Sequence, residues 1–442
     1  MTDPGNPSLE QRLAALEEQL ARQNEQLMNQ ARELATLNLW QQGRLFSYIA
    51  RLFPKTRSVI FLHADFFGDN VKYAFLAFRA LAERYNIGCH FLVNNPQQRD
   101  LLAQSGLPVL PAMNEWSMDH LRILMSAKVL VACDHFTPLS WSPPLPYFLL
   151  QGARLVQMWH GIPLKEIGFV YSDAPQSAFQ GLRLSSTGPA DVFVAPGARW
   201  RSLWRQWFAF REFAALGYPR NDALLREAMG EELINVDTEA LVELRAAREG
   251  GRGAIFYAPT FRDNIGPGWL ENSALPDYAK WCQDKGYYLI VKLHPAERAG
   301  FEDLKRKFPQ VRFARPESDI YPLLRHVDTL VTDYSSVALD FMLLDRPIVF
   351  YWPDHETYTR QCRSLLPGHE RYIAGEQATD FENLCRATGE AMAGGPGPWA
   401  ERRRQLVKEL FDQPDGQSAD RVARLILEQL DAPEELPAGW GI

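Results

Sequence analysis

The chain has 442 residues, 46% of them hydrophobic and 23% charged, a balance that excludes wholesale disorder and allows two or three domains with their own cores. A net charge of −7 excludes the basic excess that non-specific nucleic-acid binding needs, while leaving a local anion site open. Five scattered cysteines (Cys89, Cys133, Cys282, Cys362, Cys385), never spaced C-x-x-C, point to reduced thiols rather than a disulfide framework or a zinc site.

The opening stretch MTDPGNPSLEQRLAALEEQL lacks the apolar core of a signal peptide, and no apolar run is long enough to span a bilayer. The expected location is the cytoplasm, with the inner face of the membrane open to it. Leu9, Leu13, Leu16, Leu20, Gln23, Leu27, Gln30, Leu34 and Leu37 then alternate in steps of four and three, the a/d seam of a coiled coil. Pro7, followed by Ser8 and Gln11 at capping-box spacing, marks the start, and no Gly or Pro interrupts the segment up to Gln42. It is either an oligomerisation helix or one long helix folded on its own domain; oligomerisation is the better reading. Residues 1–50 are assigned to it.

From Ser58 short apolar runs alternate with helical patterns, the mark of parallel α/β architecture. Strands are expected at 58–62, 87–93, 128–133 and 154–159, with a helix over 70–85. A second α/β unit begins near 253–259 and continues with strands at 287–295, 311–314, 328–333 and 347–352; helices at about 399–411 and 417–431 finish the chain. The expected fold is GT-B-like, with two Rossmann-like domains (51–230 and 231–442) facing a cleft. Ligands in such sheets sit beyond the carboxyl ends of the strands.

Those strand ends carry the candidate chemistry. VTDYSSVALDF (331–341) empties an apolar strand into Ser335 and Ser336 at a helix start. That is either an ordinary N-cap or a phosphate cradle of hydroxyls, backbone N–H groups and helix dipole. YAPTFRDN (257–264) puts Arg262 just past a second strand, and VKLHP (291–295) puts His294 past a third, with Lys292 two residues back. Each has a structural reading alone; three phosphate-compatible groups at the ends of one sheet favour a site. In the first unit, QMWHG (157–161) places His160 before a glycine, either as a general base or as a histidine satisfied within its turn. Asp65, Asp69 and Asn70 (63–70, HADFFGDN) bind a polyhydroxylated acceptor or cap the next helix, capping being the better reading for Asn70.

QMWHGIPLKEIG (157–168), GYPRND (217–222), YAPTFRDN, VKLHP and VTDYSSVALDF occur in an order that resembles the CDP-glycerol glycerophosphotransferases, the teichoic-acid polymerase and primase group with a GT-B fold. The resemblance covers roughly residues 58–390 and leaves the heptads outside. It implies that His160 is the catalytic base and that Arg262, His294, Ser335, Ser336 and Asp340 hold the donor. Asp65, Asp69 and Lys165 are candidates for the acceptor side. The implied donor is CDP-glycerol or another CDP-polyol, the implied acceptor a polysaccharide or lipid-linked hydroxyl of an envelope polymer. Neither D-x-D nor a P-loop is present, so the expected reaction needs no metal or other cofactor. Ile162, Phe261 and His63-Ala64 depart from the family's usual Thr, Trp and Glu-Ser, which bears on the acceptor rather than the phosphate ligands. A nucleotide-sugar glycosyltransferase on the same fold and a non-catalytic scaffold are the rival readings. The stretch GARWRSLWRQWFAF (197–210) sets Trp200, Leu203, Trp204, Trp207 and Phe208 on one helical face beside arginines, a core stripe or a peripheral membrane contact.

Overall fold

The computed structural model describes residues 9–134, 136, 144–165, 190–260, 262, 273–294, 301–309, 311–362, 364–395 and 397–431. Two six-stranded parallel sheets form its frame. The first contains β1 (Thr56–His63), β2 (Gly88–Val93), β3 (Ala127–Ala132), β4 (Arg154–Gln157), β5 (Ala190–Ala195) and β6 (Phe210–Ala215), in the order β2-β1-β3-β4-β5-β6. The second contains β7 (Ala254–Ala258), β8 (Tyr288–Lys292), β9 (Arg312–Ala314), β10 (Thr329–Thr332), β11 (Ile348–Tyr351) and β12 (Glu376–Ala378), in the order β12-β11-β10-β7-β8-β9. Most of these strands are apolar along their length because helices cover both faces of a parallel sheet. Val59, Phe61, Val129 and Val131 are buried on one side of the first sheet, Ile60, Leu130 and Ala132 on the other.

In each sheet the strand order reverses beside the first strand, between β1 and β3 and between β7 and β10. Loops leaving neighbouring strands there diverge and open a crevice. The two crevices face each other, which is the two-lobed GT-B arrangement expected. Helix α2 (Asp69–Arg84) ties them together. Its Lys72 ammonium is fully buried, 2.7 Å from Asp319 of the second lobe, and also donates to the Glu232 and Ile234 carbonyls. Burial lowers the Lys72 pKa and the Asp319 charge opposes that shift.

Two features differ from the sequence reading, and a third decides between its alternatives. Strands β5, β6 and β12 are additional to the expected set. The aromatic stripe is core: only Arg201–Trp207 is α-helical, Trp204 and Phe208 are buried against Trp159 and Phe193, Trp200 is buried beside Tyr372, and Phe210 already opens β6. Three of its four rings are thus buried, and Trp207 is partly buried against the same core. The last helix, Ser418–Asp431, expected in the second domain, crosses back to the first. Val422, Ala423, Ile426 and Leu430 complete the layer over β1, β3 and α2, and the Asp222 carboxylate accepts from the Ser418 and Ala419 N–H groups at its start. Its apolar face is the missing cover of the first sheet, so hydrophobic burial decides its place over sequence proximity.

The heptad segment lies within a single helix, α1 (Leu9–Leu52), whose Leu16, Leu20, Leu27 and Leu34 are all exposed. Among the described residues no helix is long and apolar enough to cross a membrane.

Candidate active site

The turn after β4 is built to present one imidazole. Trp159 has a left-handed backbone (φ +54), a conformation that costs a non-glycine residue about 1–3 kcal/mol. Its N–H donates to Gln157 Oε1 at 2.9 Å, its carbonyl accepts from Asn70 Nδ2 at 2.7 Å, and its buried ring packs on Phe208. These contacts hold the strained turn and leave His160 half-exposed in the cleft, its ring stacked on Trp159 with centroids 4.2 Å apart. His160 Nδ1 lies 3.9 Å from Asp134 Oδ1 just past β3, a carboxylate placed to orient the imidazole of a base. Asn70 therefore does not cap α2; it ties the first loop to this turn and also accepts from the Arg220 N–H.

Arg220, from GYPRND, is the hub of the site. It is buried, donates to Asp69 Oδ1 and to the His160 carbonyl (both 2.8 Å), and reaches across to Asp340 Oδ2 of the second lobe at 2.6 Å. Burial alone would lower its pKa, but Asp340 and Asp69 hold it well above its ordinary value. Gly161 sits at φ +138, and a Cβ there would meet Ser336 Oγ at 2.7 Å and an Arg220 nitrogen at 2.8 Å. The glycine is thus required by the close approach of the two lobes.

The cleft between them has a volume of ≈ 310 Å³. From the first lobe Asp69, His160, Lys165 and Arg220 line it; from the second, Thr260, Lys292, His294, Ser335 and Ser336. Ser335 Oγ accepts from the Val337 N–H at 3.4 Å, and the helix that follows is only Val337–Phe341 before it tightens to 3-10 geometry. So short a helix has little macrodipole, and the hydroxyls and local N–H groups are what it offers an anion. Lys292 is buried with its ammonium on the Arg315 (3.1 Å) and Pro316 carbonyls; burial pushes its pKa down to about 7 against the pull of Asp319 and Glu317. Thr260 Oγ1 and Arg220 Nε are buried with no hydrogen-bond partner, both on residues that line the cleft.

Three expected site residues sit elsewhere. Arg262 is buried outside the cleft lining, bound to Asp333 at 2.9 Å and to Asp354 through Nε (2.8 Å) and a terminal nitrogen (3.1 Å), with Tyr334 and Tyr358 under its guanidinium. Asp333 also accepts from the Thr260 N–H, so Arg262 ties the β7 and β10 loops to each other. Asp340 is equally buried, consumed by Arg220, Asn221 and the Tyr321 hydroxyl. Asp65 is exposed and does not line the cleft. Phe261, Asp263 and 166–168 lie outside the described residues. Asp134, Arg220 and Thr260 were missed. Each stood at a strand end or inside a recognised motif, but only the fold shows which strand ends converge.

His63, Asp69 and Cys133 also cluster, their ligand-type atoms within 4.8 Å of one another. His63 Nδ1 accepts from the Asp65 (3.2 Å) and Phe66 (3.3 Å) N–H groups, which leaves the proton on Nε2 and makes the ring a donor toward its neighbours. Asp69 is already paired with Arg220. These hydrogen bonds and the Asp69–Arg220 pair support the first loop.

Residues 45–428 match the model of the CDP-Glycerol:Poly(glycerophosphate) glycerophosphotransferase family. The chain belongs to this family. Among relatives of this glycerophosphotransferase family member, the teichoic acid poly(glycerol phosphate) polymerase of Bacillus spizizenii is 30% identical over 244 residues, covering 52% of this chain and 60% of that protein. The teichoic acid glycerol-phosphate transferase of Staphylococcus aureus is 27% identical over 289 residues, 62% of this chain and 71% of that one. The solved structure of the wall teichoic acid polymerase TagF shares the fold with a TM-score of 0.64, at 19% identity over 93% of this chain and 98% of that one. The glycerophosphotransferase match begins within α1, at Leu45, so most of the heptad segment lies outside it.

Proposed function

We propose that the protein transfers a polyol phosphate, glycerol phosphate first among candidates, from a CDP-activated donor to a hydroxyl of an envelope-polymer or lipid-linked acceptor. The observation that carries this is the convergence of His160 from one lobe with Lys292, His294, Ser335 and Ser336 from the other on a single cleft, in a chain of the glycerophosphotransferase family. The acceptor hydroxyl attacks the β-phosphorus of the donor. A new P–O bond forms, the bond from that phosphorus to the bridging oxygen breaks, and CMP leaves with the electron pair. His160 takes the hydroxyl proton, with Asp134 steadying the imidazolium. The second-lobe donors, with the Thr260 hydroxyl, stabilise charge on the pyrophosphate. Purified protein incubated with CDP-glycerol, CDP-ribitol and nucleotide sugars should release CMP with a CDP-polyol alone. Release of nucleotide only from a sugar donor would make it a glycosyltransferase, and no release from any would favour a scaffold.

The donor site supplies its own cations and hydrogen-bond donors, so no metal is expected in the reaction. Calorimetry should show CDP binding in EDTA, unchanged by added Mg²⁺; binding that needs the ion refutes this.

Lys292 makes donor binding depend on pH. Above pH 7 its amine is largely neutral in the empty cleft, and an anionic pyrophosphate favours the ammonium. Binding therefore takes up a proton, and CDP affinity should weaken by up to about tenfold per unit between pH 7 and 9. Proton uptake at pH 8, read from calorimetry in buffers of different ionisation heat, should vanish in Lys292→Met. A flat affinity over that range removes Lys292 from the donor site.

The exposed leucine row of α1 supports self-association through a coiled coil. Deleting residues 1–40 should lower the mass seen by light scattering to that of one chain, because the docked end of α1 stays in place. An unchanged mass counts against the coil. The working location that fits these readings is the cytoplasm, at the inner face of the membrane.

A further inference from the structure

The loop that leaves β9, residues 315–321, is tied to a lysine at each end. At its start the Arg315 and Pro316 carbonyls accept from the Lys292 ammonium in the cleft. Farther on, the Asp319 carboxylate accepts from Lys72 Nζ and from the Tyr73 hydroxyl, both at 2.7 Å. Those two donors belong to α2 of the first lobe, and neither lines the cleft. Between its ends the loop has little freedom. Ser318 donates to the Arg315 carbonyl through its N–H (3.0 Å) and its Oγ (2.7 Å), and Asp319 Oδ1 accepts from the Tyr321 N–H at 3.1 Å. Asn235, in the segment that joins the lobes, closes the frame. Its Nδ2 donates to the Glu317 carbonyl and to the Phe67 carbonyl of the first lobe, and its own carbonyl accepts from the Asp319 N–H at 2.8 Å.

The charge count inside this frame is uneven. Lys72 and Lys292 are both buried, and Asp319 is the carboxylate that acts most strongly on each. Two buried ammonium groups thus share one carboxylate, a costly arrangement that a bound anion would relieve. Burial pushes the Lys292 pKa down to about 7; Asp319 opposes that most, then Glu317, while Arg315 adds to it and Asp237 opposes it weakly. Of the other ionisable side chains, His294 and Tyr321 line the cleft on the same lobe, and Asp69, His160, Lys165 and Arg220 line it from the first. A donor pyrophosphate would bring the missing negative charge.

We propose that Asp319 is a positioning residue of the donor site: seated on Lys72 and Tyr73 of the first lobe, it fixes the 315–319 turn whose carbonyls carry the Lys292 ammonium. Docking of the lobes and presentation of that amine to donor phosphate are then one event. A first-lobe lysine that touches no substrate thereby governs donor affinity. The inference rests on the assignment of CDP to the second lobe made above.

A double-mutant cycle on CDP affinity tests it, with Lys72→Met/Asp319→Asn as one perturbation and Lys292→Met as the other. Replacing the buried pair together leaves neither partner charged, so the melting temperature should stay near that of wild type. At pH 8 the pair variant should bind CDP at least about tenfold more weakly, because every tenfold fall in the charged fraction of Lys292 costs about tenfold in affinity. In the Lys292→Met background the same replacement should change affinity by no more than about twofold. Asp319→Asn alone, in which Lys72 keeps the Glu232 and Ile234 carbonyls, serves the same cycle should the pair variant misfold. Equal losses in both backgrounds would make Asp319 a structural residue only, and a pair variant that binds like wild type would overturn the proposal as well. A second readout needs no donor. Side-chain NMR of Lys292 in the empty protein should show its titration midpoint moving below pH 7 in the pair variant, and an unmoved midpoint overturns the proposal. A moved midpoint in a protein that binds no CDP would instead strike the donor assignment and leave the hold of Asp319 on Lys292 standing.

Discussion

Replacing His160 with alanine should lower single-turnover rate by about 10²–10⁴-fold and leave CDP affinity nearly intact, the signature of a group that works on the acceptor proton in the transition state. His160 stands in the first lobe, half-exposed on the Trp159 turn, with its Nδ1 3.9 Å from the Asp134 carboxylate of the same lobe. His294→Ala should behave differently. That imidazole follows β8, in the lobe assigned to the donor, so its loss should weaken CDP binding and slow turnover with it. If His160→Ala abolished CDP binding while His294→Ala left it untouched, the two lobes would have exchanged roles. Normal turnover in both would remove the histidines from the chemistry.

Arg220→Ala should destabilise the protein by about 3–5 kcal/mol in chemical denaturation, because it leaves the Asp340 carboxylate charged and unpaired at 1% exposure with Asp69 beside it. The loss should come mainly from that orphaned charge, so adding Asp340→Asn should recover part of it. Arg220→Lys should not substitute: a single ammonium cannot address Asp69, the His160 carbonyl and Asp340 together. Activity should fall in every variant, since the same guanidinium holds the His160 turn and the Ser336 approach in register. Unchanged stability in Arg220→Ala would show that the cluster adds nothing to the closed arrangement of the lobes.

Much of the frame was legible in the chain. Apolar runs such as SVIFL and LIVK sit in parallel strands because burial on both faces demands such runs, and the motifs at their ends mark the crevice. What was not legible is how buried charges are shared. Arg262 and Asp340 stand in motifs that point to the donor, yet each is spent on partners distant in sequence: Arg262 on Asp333 and Asp354, Asp340 on Arg220. Only the juxtaposition of loops reveals which carboxylate a guanidinium finds first. Where the helix after Gly197 ends was hidden for a related reason. Its tryptophans repeat at helical spacing, but the ring surface they bury is shared with β5 and β6, and the strand beginning at Phe210 cuts the helix short.

The return of Ser418–Asp431 to the first lobe has a consequence for how the protein is made. The layer over β1 and β3 stays open until residues 418–431 leave the ribosome, so the first lobe is completed only after the strands of the second have been made. Until residue 431 has been made, nascent chains carry an uncovered apolar surface on α2, a period in which chaperone binding competes with aggregation. A stop codon just ahead of residue 418 would remove no residue that lines the cleft, and would still yield a protein unable to mature.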